Sequence, residues 1–235
     1  MTIPKALHVT NTLIAGAPSK ERLRFLANCE PVDLVFGDIL YEAGRPIEHV
    51  YFPLVGFISL VATLDGRQPL EMGLIGNEGM LGVTLTLGVK TAPMRAVVQG
   101  EGTALRMTAV QLIRQLRDSP TMLRALDRYL YVLMAQLTQS SACTRFHEIE
   151  PRLARWLLMT HDRAHADHFH LTHEFLAGML GVRRSGVSIA AAELQLRKII
   201  RYSRGRISIL NRKGLEAASC LCYDAMIKGY ADVFG

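Results

Sequence analysis

Hydrophobic and polar positions alternate in short runs from Val32 to about Met107. Strand-sized apolar runs in this stretch are separated by turn-forming residues: Gly37-Asp38, Gly44-Arg45-Pro46, Gly56 and Asp65-Gly66-Arg67. An Asp-Gly pair between two apolar runs is typical of a tight β-hairpin. Strands that recur every eight to ten residues or so, with no long helix between them, predict an antiparallel barrel or sandwich.

The period changes to that of helices after Met107. Thr108 is a candidate N-cap for a short helix, and Ser119-Pro120 places an N-cap before a proline at the first helical position. The helix that follows, of about 25 residues, carries an apolar stripe that must be covered. The covering surface is either the barrel or a second copy of the chain, and we favour the second because Met134 and several tyrosines widen the apolar surface. The candidate dimer-interface residues are Leu126, Leu130, Leu133 and Leu137.

A further helix follows Pro151, in the stretch RLARWLLMTHDRA, and a pair of short helices follows over residues 171–194. Thr172 is the candidate N-cap of the first helix of that pair, and Gly181 permits the tight turn between the two. A buried stripe on the second helix leaves its N-terminal residues facing outward. These are Arg183, Arg184, Ser185, Ser188 and Ile189. In a helix-turn-helix this part of the second helix enters the major groove, where arginine and serine can contact bases and phosphates.

Two β-branched runs follow the helix pair, Ile199 to Tyr202 and Ile207 to Leu210. They flank Ser203-Arg204-Gly205-Arg206, which predicts a hairpin with a glycine and two arginines, Arg204 and Arg206, at its tip. A basic hairpin directly after a candidate recognition helix is typical of a wing that contacts DNA phosphates.

The charge of the chain is concentrated in the same region. The 27 basic and 21 acidic residues give a formal net charge of +6, yet residues 1–150 balance at 14 against 14. Between Arg183 and Lys213, nine basic residues face only Glu193. Such a concentration indicates an anionic partner, with double-stranded DNA favoured over a solvated basic surface.

Other classes of protein receive less support from the sequence. No apolar run is long enough for a membrane span and the N-terminus lacks a secretion signal, so we expect a cytoplasmic protein with no membrane partner. Four cysteines, widely separated, do not make a disulfide framework. We find no nucleophile–base constellation, phosphate-binding glycine loop or spaced metal triad, and therefore expect no enzymatic activity.

With these motifs in order, the chain resembles the Crp/Fnr family of bacterial transcription regulators along nearly its whole length. The resemblance rests on GDILYEAGRPIEHVYFPLVGFISLV, RLARWLL and LTHEFLAGMLGVRRSGVSIAAAELQ. It implies an α+β chain: an N-terminal antiparallel β-barrel of the jelly-roll, cyclic-nucleotide-binding-like type, a long dimerisation helix and a C-terminal winged helix-turn-helix. The expected domains are residues 1–118, 119–147 and 148–235. Ser185 stands where many members carry Glu, and Ile189 where many carry Arg, so the operator sequence is not carried over.

Members of that family that bind cyclic nucleotides use a Gly-Glu pair followed, about ten residues later, by Arg and a small residue. The comparable residues here are Glu78 and Arg95-Ala96, with Thr138 on the long helix, but Asn77 interrupts the pair and the interval is 17 residues. Arg95 either holds the phosphate of an effector or pairs with a carboxylate of the chain. No cofactor is assigned; a cyclic nucleotide or another small effector stays open.

The sequence also gives no set of residues that we assign to a metal-based sensor. An iron–sulfur sensor would need clustered cysteines, whereas Cys29 stands alone, and Cys220-x-Cys222 is too closely spaced for the usual zinc knuckle and is interpreted as core packing. His161, His165, His168, His170 and His173 are interpreted as solvated residues, with a metal or pH-sensing role as the alternative. The expected metal content is none.

These observations predict a sequence-specific transcription regulator of the Crp/Fnr type. It would act as a homodimer on a pseudo-palindromic operator, with RNA polymerase as a further candidate partner. An allosteric signal would act by rotating the DNA-binding domains about a hinge near residues 146–151. The alternative is a small-ligand-binding barrel whose basic C-terminal half docks a protein or an anionic surface.

Overall fold

A computed structural model of the chain describes residues 11–63, 69–164 and 166–235, so the turn Asp65-Gly66-Arg67 and His165 lie outside the described residues. The elements in the first half are α1 (Thr12–Ala15), α2 (Ser19–Leu26), β1 (Glu30–Leu34), β2 (Ile39–Tyr41), β3 (His49–Ala62), β4 (Leu70–Ile75), a 3-10 helix (Val83–Leu87), β5 (Arg95–Thr108) and α3 (Ala109–Arg117). Those in the second half are α4 (Pro120–Phe146), α5 (Ile149–Ala164), β6 (His168–His170), α6 (His173–Leu180), α7 (Arg184–Leu196), β7 (Ile200–Ser203), β8 (Arg206–Ile209), α8 (Arg212–Ala218) and α9 (Cys222–Phe234).

The first five strands form one antiparallel sheet, which we call the β domain together with α1 to α3. Its strand order is β1-β5-β3-β4, and β2 also pairs with β5. The predicted α+β class with an N-terminal antiparallel sheet is confirmed, although the described strands do not close into a barrel. A jelly-roll arrangement is compatible with this order.

Gly56 is not a turn between two strands, as its sequence context suggested. It lies inside β3, a continuous strand of 14 residues, at φ +82°. A Cβ there would lie 2.3 Å from the carbonyl oxygen of Gly100 on β5, so no other residue fits this close approach without a shift of the backbone. The pairing register of β3 with β5 shifts on both sides of Gly56, which makes it a β-bulge.

Both predicted N-caps in the middle of the chain are confirmed. Thr108 and Gln111 form a reciprocal capping box at the start of α3. Ser119 accepts a hydrogen bond from the amide of Met122 at the start of α4, with Pro120 in the first turn. These contacts are local, which is why the sequence pattern was sufficient to place the helix starts.

The leucine stripe of α4 covers the core of the β domain. Leu126 and Leu133 are buried in the cluster that also contains Phe52 and Ile58 of β3. Leu130 and Leu137 are half-buried against the same cluster. The assignment of Leu126 and Leu133 to a dimer interface is therefore corrected, because their apolar surface is already removed from water within one chain. For the half-buried Leu130 and Leu137 it stays a prediction.

The second half builds a separate apolar core from α5 to α8 and a three-stranded sheet of order β6-β8-β7. This core reaches into the β domain, since Phe57 of β3 and Leu74 of β4 belong to it. Trp156 of α5, 2% exposed, donates its Nε1 hydrogen to Glu71 Oε1 of β4 at 2.8 Å. The two halves are therefore joined by a hydrogen bond inside an apolar contact.

The last helix, α9, returns along α4. Tyr230 of α9 contacts Thr12 Oγ1 at 2.8 Å and donates to the carbonyl of Glu78 at 3.3 Å. Arg128 of α4 donates to the carbonyl of Val233 and lies over the ring of Phe234. Among the described helices, none combines the length and the apolar character that crossing a membrane requires.

Candidate nucleic-acid interface

The helix pair α6–α7 has the geometry that its sequence predicts. Thr172 Oγ1 accepts from the amide of Phe175 and caps α6. Gly181 ends α6 at φ +63°, a conformation that costs glycine little and most other residues more. Ala177 is buried where the helices cross, and the inner face of α7 is buried as expected. That face consists of Val187, Ala190, Ala191 and Leu194.

The N-terminal turn of α7 points away from this core. Arg183 occupies the N-cap position, and Arg183, Arg184 and Ser185 are all exposed. Ile189 follows one turn later and is 66% exposed. Two guanidinium groups at the positive end of a helix dipole are unfavourable by themselves. An anion bound at this helix start would offset that cost.

Ser188 is half-buried between α6 and α7, whereas the sequence predicts an outward position. Its hydroxyl donates to the carbonyl of Arg184 at 3.1 Å and lies 2.9 Å from Nδ1 of His173. Ser188 is thus half-buried and already hydrogen-bonded within the domain. Its contribution is to hold α6 against α7.

His173 is the residue of this site that sequence reasoning missed. Its ring stacks on Tyr202 of β7 with centroids 4.1 Å apart, and its Nδ1 lies at Ser188 of α7. Burial and the nearby charge of Arg184 lower the pKa of His173 below its usual value. A largely neutral imidazole therefore links α6, α7 and the hairpin β7–β8. The sequence signal was a histidine one position after an N-cap threonine, which by itself does not distinguish it from its four neighbouring histidines.

The hairpin β7–β8 forms the expected wing. Arg204 and Gly205 connect the strands at φ +49° and +77°, the two positive values of a type I′ turn. The amide of Leu171 donates to the carbonyl of Gly205 at 2.7 Å, so the wing tip lies beside the start of α6. Arg204 and Arg206 are exposed.

We define the cationic face as six exposed residues at the start of α6, at the start of α7 and at the wing tip: Thr172, Arg183, Arg184, Ser185, Arg204 and Arg206. No acidic side chain of the described residues forms an ion pair with any of its four arginines. Other arginines of the same half are neutralised, for example Arg197 by Glu150 at 2.6 Å. The four arginines of the cationic face therefore keep their charge unpaired, within the described residues, on a surface that projects from the domain.

The four candidate effector residues do not form one site. Arg95 pairs with Glu42 at 2.9 Å, which is the carboxylate alternative left open by the sequence, and Ala96 is fully buried in β5. Thr138 is exposed and donates to the carbonyl of Met134 on its own helix. Glu78 pairs with Arg163 of α5 at 2.6 Å.

Two cavities bear on effector binding. The one inside the β domain measures about 30 Å³ between Tyr41, Leu60, Ile75 and Leu133, well below the roughly 300–1,000 Å³ of small-molecule sites. A cavity of about 410 Å³ lies between α4, α5 and α9. Apolar surface dominates its lining, with Glu78, Gln136 and Tyr230 among its polar groups.

The described histidines of the cluster 161–173 engage separate partners. His161 lies 2.8 Å from Asp167, and His168 lies 3.1 Å from Ser208 on the neighbouring strand. His173 is the residue stacked on Tyr202. Among the described residues these histidines do not converge on a common point.

Comparison with known proteins finds a family match within the C-terminal half. Residues 151–218 match the family model of the Crp-like helix-turn-helix domain. This stretch contains α6, α7, the wing and every residue of the cationic face. No curated protein sequence matches the chain.

Similar solved structures extend the likeness to most of the chain. One is the c-di-GMP-responsive global regulator CLP of Xanthomonas campestris, 17% identical, with a TM-score of 0.66 over 82% of this chain and 99% of that one. FixK2 from Bradyrhizobium japonicum is 16% identical, with a TM-score of 0.69 over 82% and 98%. A CRP/FNR-family transcriptional regulator from Thermus thermophilus is 21% identical, with a TM-score of 0.64 over 81% and 98%.

Proposed function

We propose that this chain, which carries a Crp-like helix-turn-helix domain on the fold of the Crp/Fnr transcription regulators, binds a pseudo-palindromic operator in the cytoplasm as a homodimer. The role is regulatory and not enzymatic. The observation that carries the proposal is the cationic face, where four exposed arginines lie on a recognition helix and its wing and pair with no carboxylate of the described residues. In this arrangement Arg183 and Arg184 enter the major groove, and Arg204 and Arg206 contact the adjacent phosphates.

Both the geometry and the charge of the cationic face support this proposal. His173 ties α6, α7 and β7 together, so the recognition helix and the wing are presented as one rigid unit. A rigid unit loses little conformational freedom when it binds. Phosphate neutralisation would also remove the repulsion among the arginines and release counterions from the DNA.

The experiment that tests this function selects binding sequences from a random duplex pool with the full chain. We expect retention of one pseudo-palindromic family of sequences, with half-sites about one helical turn apart, and affinity that falls steeply with salt. Retention of all sequences equally, or of anionic vesicles in preference to DNA, would favour the alternative of a basic docking surface.

Replacement of Arg184 by alanine is the direct test of base reading. On the selected operator we expect a loss of about 1–3 kcal/mol, or about 5–150-fold in affinity, together with relaxed sequence preference at one position of each half-site. Competition gel shifts on operators mutated at single positions measure both quantities. The matched control is Arg114→Ala, which removes an exposed arginine of α3 outside the cationic face. An unchanged operator preference in Arg184→Ala would exclude Arg184 from base reading.

The dimer seam is reassigned to the outer face of α4. Tyr131 and Met134 are 65% and 58% exposed, and Thr138 and Ser141 continue the same line of exposed positions. The spacing of three, four and three residues is that of a coiled-coil seam. Two copies of α4 packed along this line would cover the exposed Tyr131 and Met134 while leaving the leucines in their own cores.

A charge placed in this seam should separate the copies. We expect Met134→Glu to raise the dimer dissociation constant about tenfold or more, since burying two carboxylates in a dry contact costs at least about 1.4 kcal/mol. Sedimentation velocity measures the shift toward monomer. Val110→Glu, at an exposed apolar position of α3, is the control and should leave the assembly intact. A dimer of undiminished strength in Met134→Glu would move the interface elsewhere.

A small effector, where one acts on this regulator, would bind in the cavity between α4, α5 and α9. Its volume of about 410 Å³ and its position between the dimerisation helix and the DNA-binding half support this placement. A titration monitored residue by residue by NMR measures where an effector binds. Binding of a cyclic nucleotide inside the β domain would contradict this placement.

A further inference from the structure

Three cysteines and one histidine converge where α4 ends. Cys143 lies on the last turn of α4 and His147 is its C-cap residue, while Cys220 precedes α9 and Cys222 is its first residue. Their sulfur and imidazole nitrogen atoms all lie within 4.8 Å of one another. We propose that these four side chains form a mononuclear zinc site of the Cys3His type.

The separations match a single tetrahedral ion. Cys143 Sγ lies 3.5 Å from Cys220 Sγ, and Cys222 Sγ lies 3.4 Å from Nδ1 of His147. Zinc bonds of about 2.3 Å to sulfur and about 2.0–2.1 Å to nitrogen give tetrahedral edges of about 3.8 Å and about 3.6 Å. An iron–sulfur cluster distributes its ligands over more than one iron and needs them further apart. The geometry therefore selects one ion and not a cluster.

Neighbouring groups bury and hydrogen-bond the four side chains, as is usual for metal ligands in proteins. The three cysteines are buried and His147 is half-buried. Gln139, one turn before Cys143 on α4, donates its amide hydrogen to Cys222 Sγ at 3.0 Å. The amide of Cys220 donates to the carbonyl of Pro151 at 3.4 Å, which fixes the segment on α5. Such contacts orient ligands before a metal arrives.

Two buried arginines supply a charge argument that is independent of these distances. Arg152 and Arg155 are 5% and 7% exposed, and within the described residues the Nε atom of each lacks a hydrogen-bond partner. One terminal nitrogen of Arg155 contacts the uncharged thioethers of Met159 and Met226. Both guanidinium groups lie near enough to the cysteine cluster for charges placed there to act on them.

Buried cations need an anionic partner to offset their desolvation. Zinc held by three thiolates and a neutral imidazole carries a net charge of −1, since the thiolate charges exceed that of the ion by one. The loaded site would supply negative charge to Arg152 and Arg155, neither of which forms an ion pair with a carboxylate of the described residues. Three neutral thiols would supply none.

The site joins parts of the chain that are distant in sequence. Cys143 and His147 precede the break between α4 and α5, and Cys220 and Cys222 follow the winged domain. One ion would clamp the end of the dimerisation helix to the far edge of the DNA-binding half. This site stands or fails independently of the proposed operator binding, because metal content and stability report on it without DNA.

The test measures metal in the full chain purified under reducing conditions. We expect about one Zn²⁺ per chain. After removal by a chelator, Co²⁺ alone should restore occupancy with the visible bands of a tetrahedral complex and a thiolate charge-transfer band. Zn²⁺ should displace the cobalt and raise the midpoint of thermal unfolding relative to the stripped chain.

Variants separate a metal site from a cluster of packed cysteines. Cys222→Ser should lose stoichiometric zinc and the cobalt spectrum, whereas Cys29→Ser, which alters the cysteine of the β domain, should keep both. His147→Cys should also keep the metal, because a fourth thiolate is an equally good ligand. This variant guards against the case in which Cys222→Ser simply fails to fold.

Two results would overturn the proposal. The first is a reduced chain that takes up neither Zn²⁺ nor Co²⁺ in stoichiometric amount, whether or not Cys143 and Cys220 form a disulfide after the reductant is removed. The second is metal that persists unchanged in a folded Cys222→Ser chain, which would place the ion elsewhere.

Discussion

Replacing Trp156 by alanine is expected to destabilise the protein by about 3–5 kcal/mol, the range for removing a large buried aromatic side chain. Trp156 is 2% exposed and packs edge-to-face on Phe175 of α6 with centroids 6.3 Å apart. Its removal would leave a cavity and also deprive Glu71 of the indole donor at 2.8 Å. Urea denaturation followed by far-ultraviolet circular dichroism measures the change.

Trp156→Phe distinguishes the two contributions. It keeps most of the ring volume but no donor, so we expect a smaller loss of about 1–3 kcal/mol from the unsatisfied carboxyl group. Phe146→Ala, at a position 77% exposed, serves as the control and should change stability by less than about 0.5 kcal/mol. A loss below about 1 kcal/mol for Trp156→Ala would mean that the two halves are not joined through this residue.

Replacing Glu71 by glutamine should change how stability depends on pH. Burial raises the pKa of Glu71 to about 7, and hydrogen bonds from Ser59 and Trp156 and the charges of Arg155 and Arg163 only partly oppose this. Ser59 Oγ lies 2.6 Å from Glu71 Oε2 and 2.8 Å from Gln99 Oε1. One hydroxyl hydrogen cannot be donated to both oxygens, so a protonated Glu71 completes the network.

The sign follows from the raised pKa. Below about pH 4.5 the carboxyl group is protonated in both the folded and unfolded chain, and its favourable contribution is fully present. As the pH rises toward 7 the unfolded chain ionises first, and stability falls by up to about 3 kcal/mol. Glutamine, with an amide donor in place of the proton, should remove this slope and exceed the wild type at pH 8.

Urea midpoints at several pH values from 4.5 to 8 measure this effect. Glu101→Gln, at an exposed position of β5, is the matched control and should reproduce the wild-type slope. A slope that survived in Glu71→Gln would assign the pH dependence to other groups.

Most elements of the fold and the cationic face could be predicted from the sequence. The caps at Thr108, Ser119 and Thr172 and the turn at Gly181 depend on contacts within a few residues. The wing followed from two β-branched runs around a glycine. Arg183 and Arg184 lie where the hydrophobic pattern of α7 places them, because the buried face of a helix determines its exposed one.

The environment of Ser188, in the same helix, could not be predicted from the hydrophobic pattern. Its helical position is compatible with an outward side chain, but a histidine 15 residues earlier engages its hydroxyl. The candidate effector residues do not come together in one site for a related reason. Glu78 pairs with Arg163 and Arg95 pairs with Glu42, each across different parts of the fold. Spacing along the chain does not specify such partners.

The order of helices and strands, the turn chemistry and the concentration of positive charge follow from the sequence, because each depends on neighbouring residues or on composition. Which face of α4 is buried becomes evident only in the folded chain, since a 3.6-residue stripe of leucines fits a β domain as well as a second helix. The folded chain also shows that Cys143 and His147 meet Cys220 and Cys222 across more than 70 residues of chain. That meeting depends on how α4, α5 and α8 pack together, and packing between distant segments is not recorded in the spacing of any one of them.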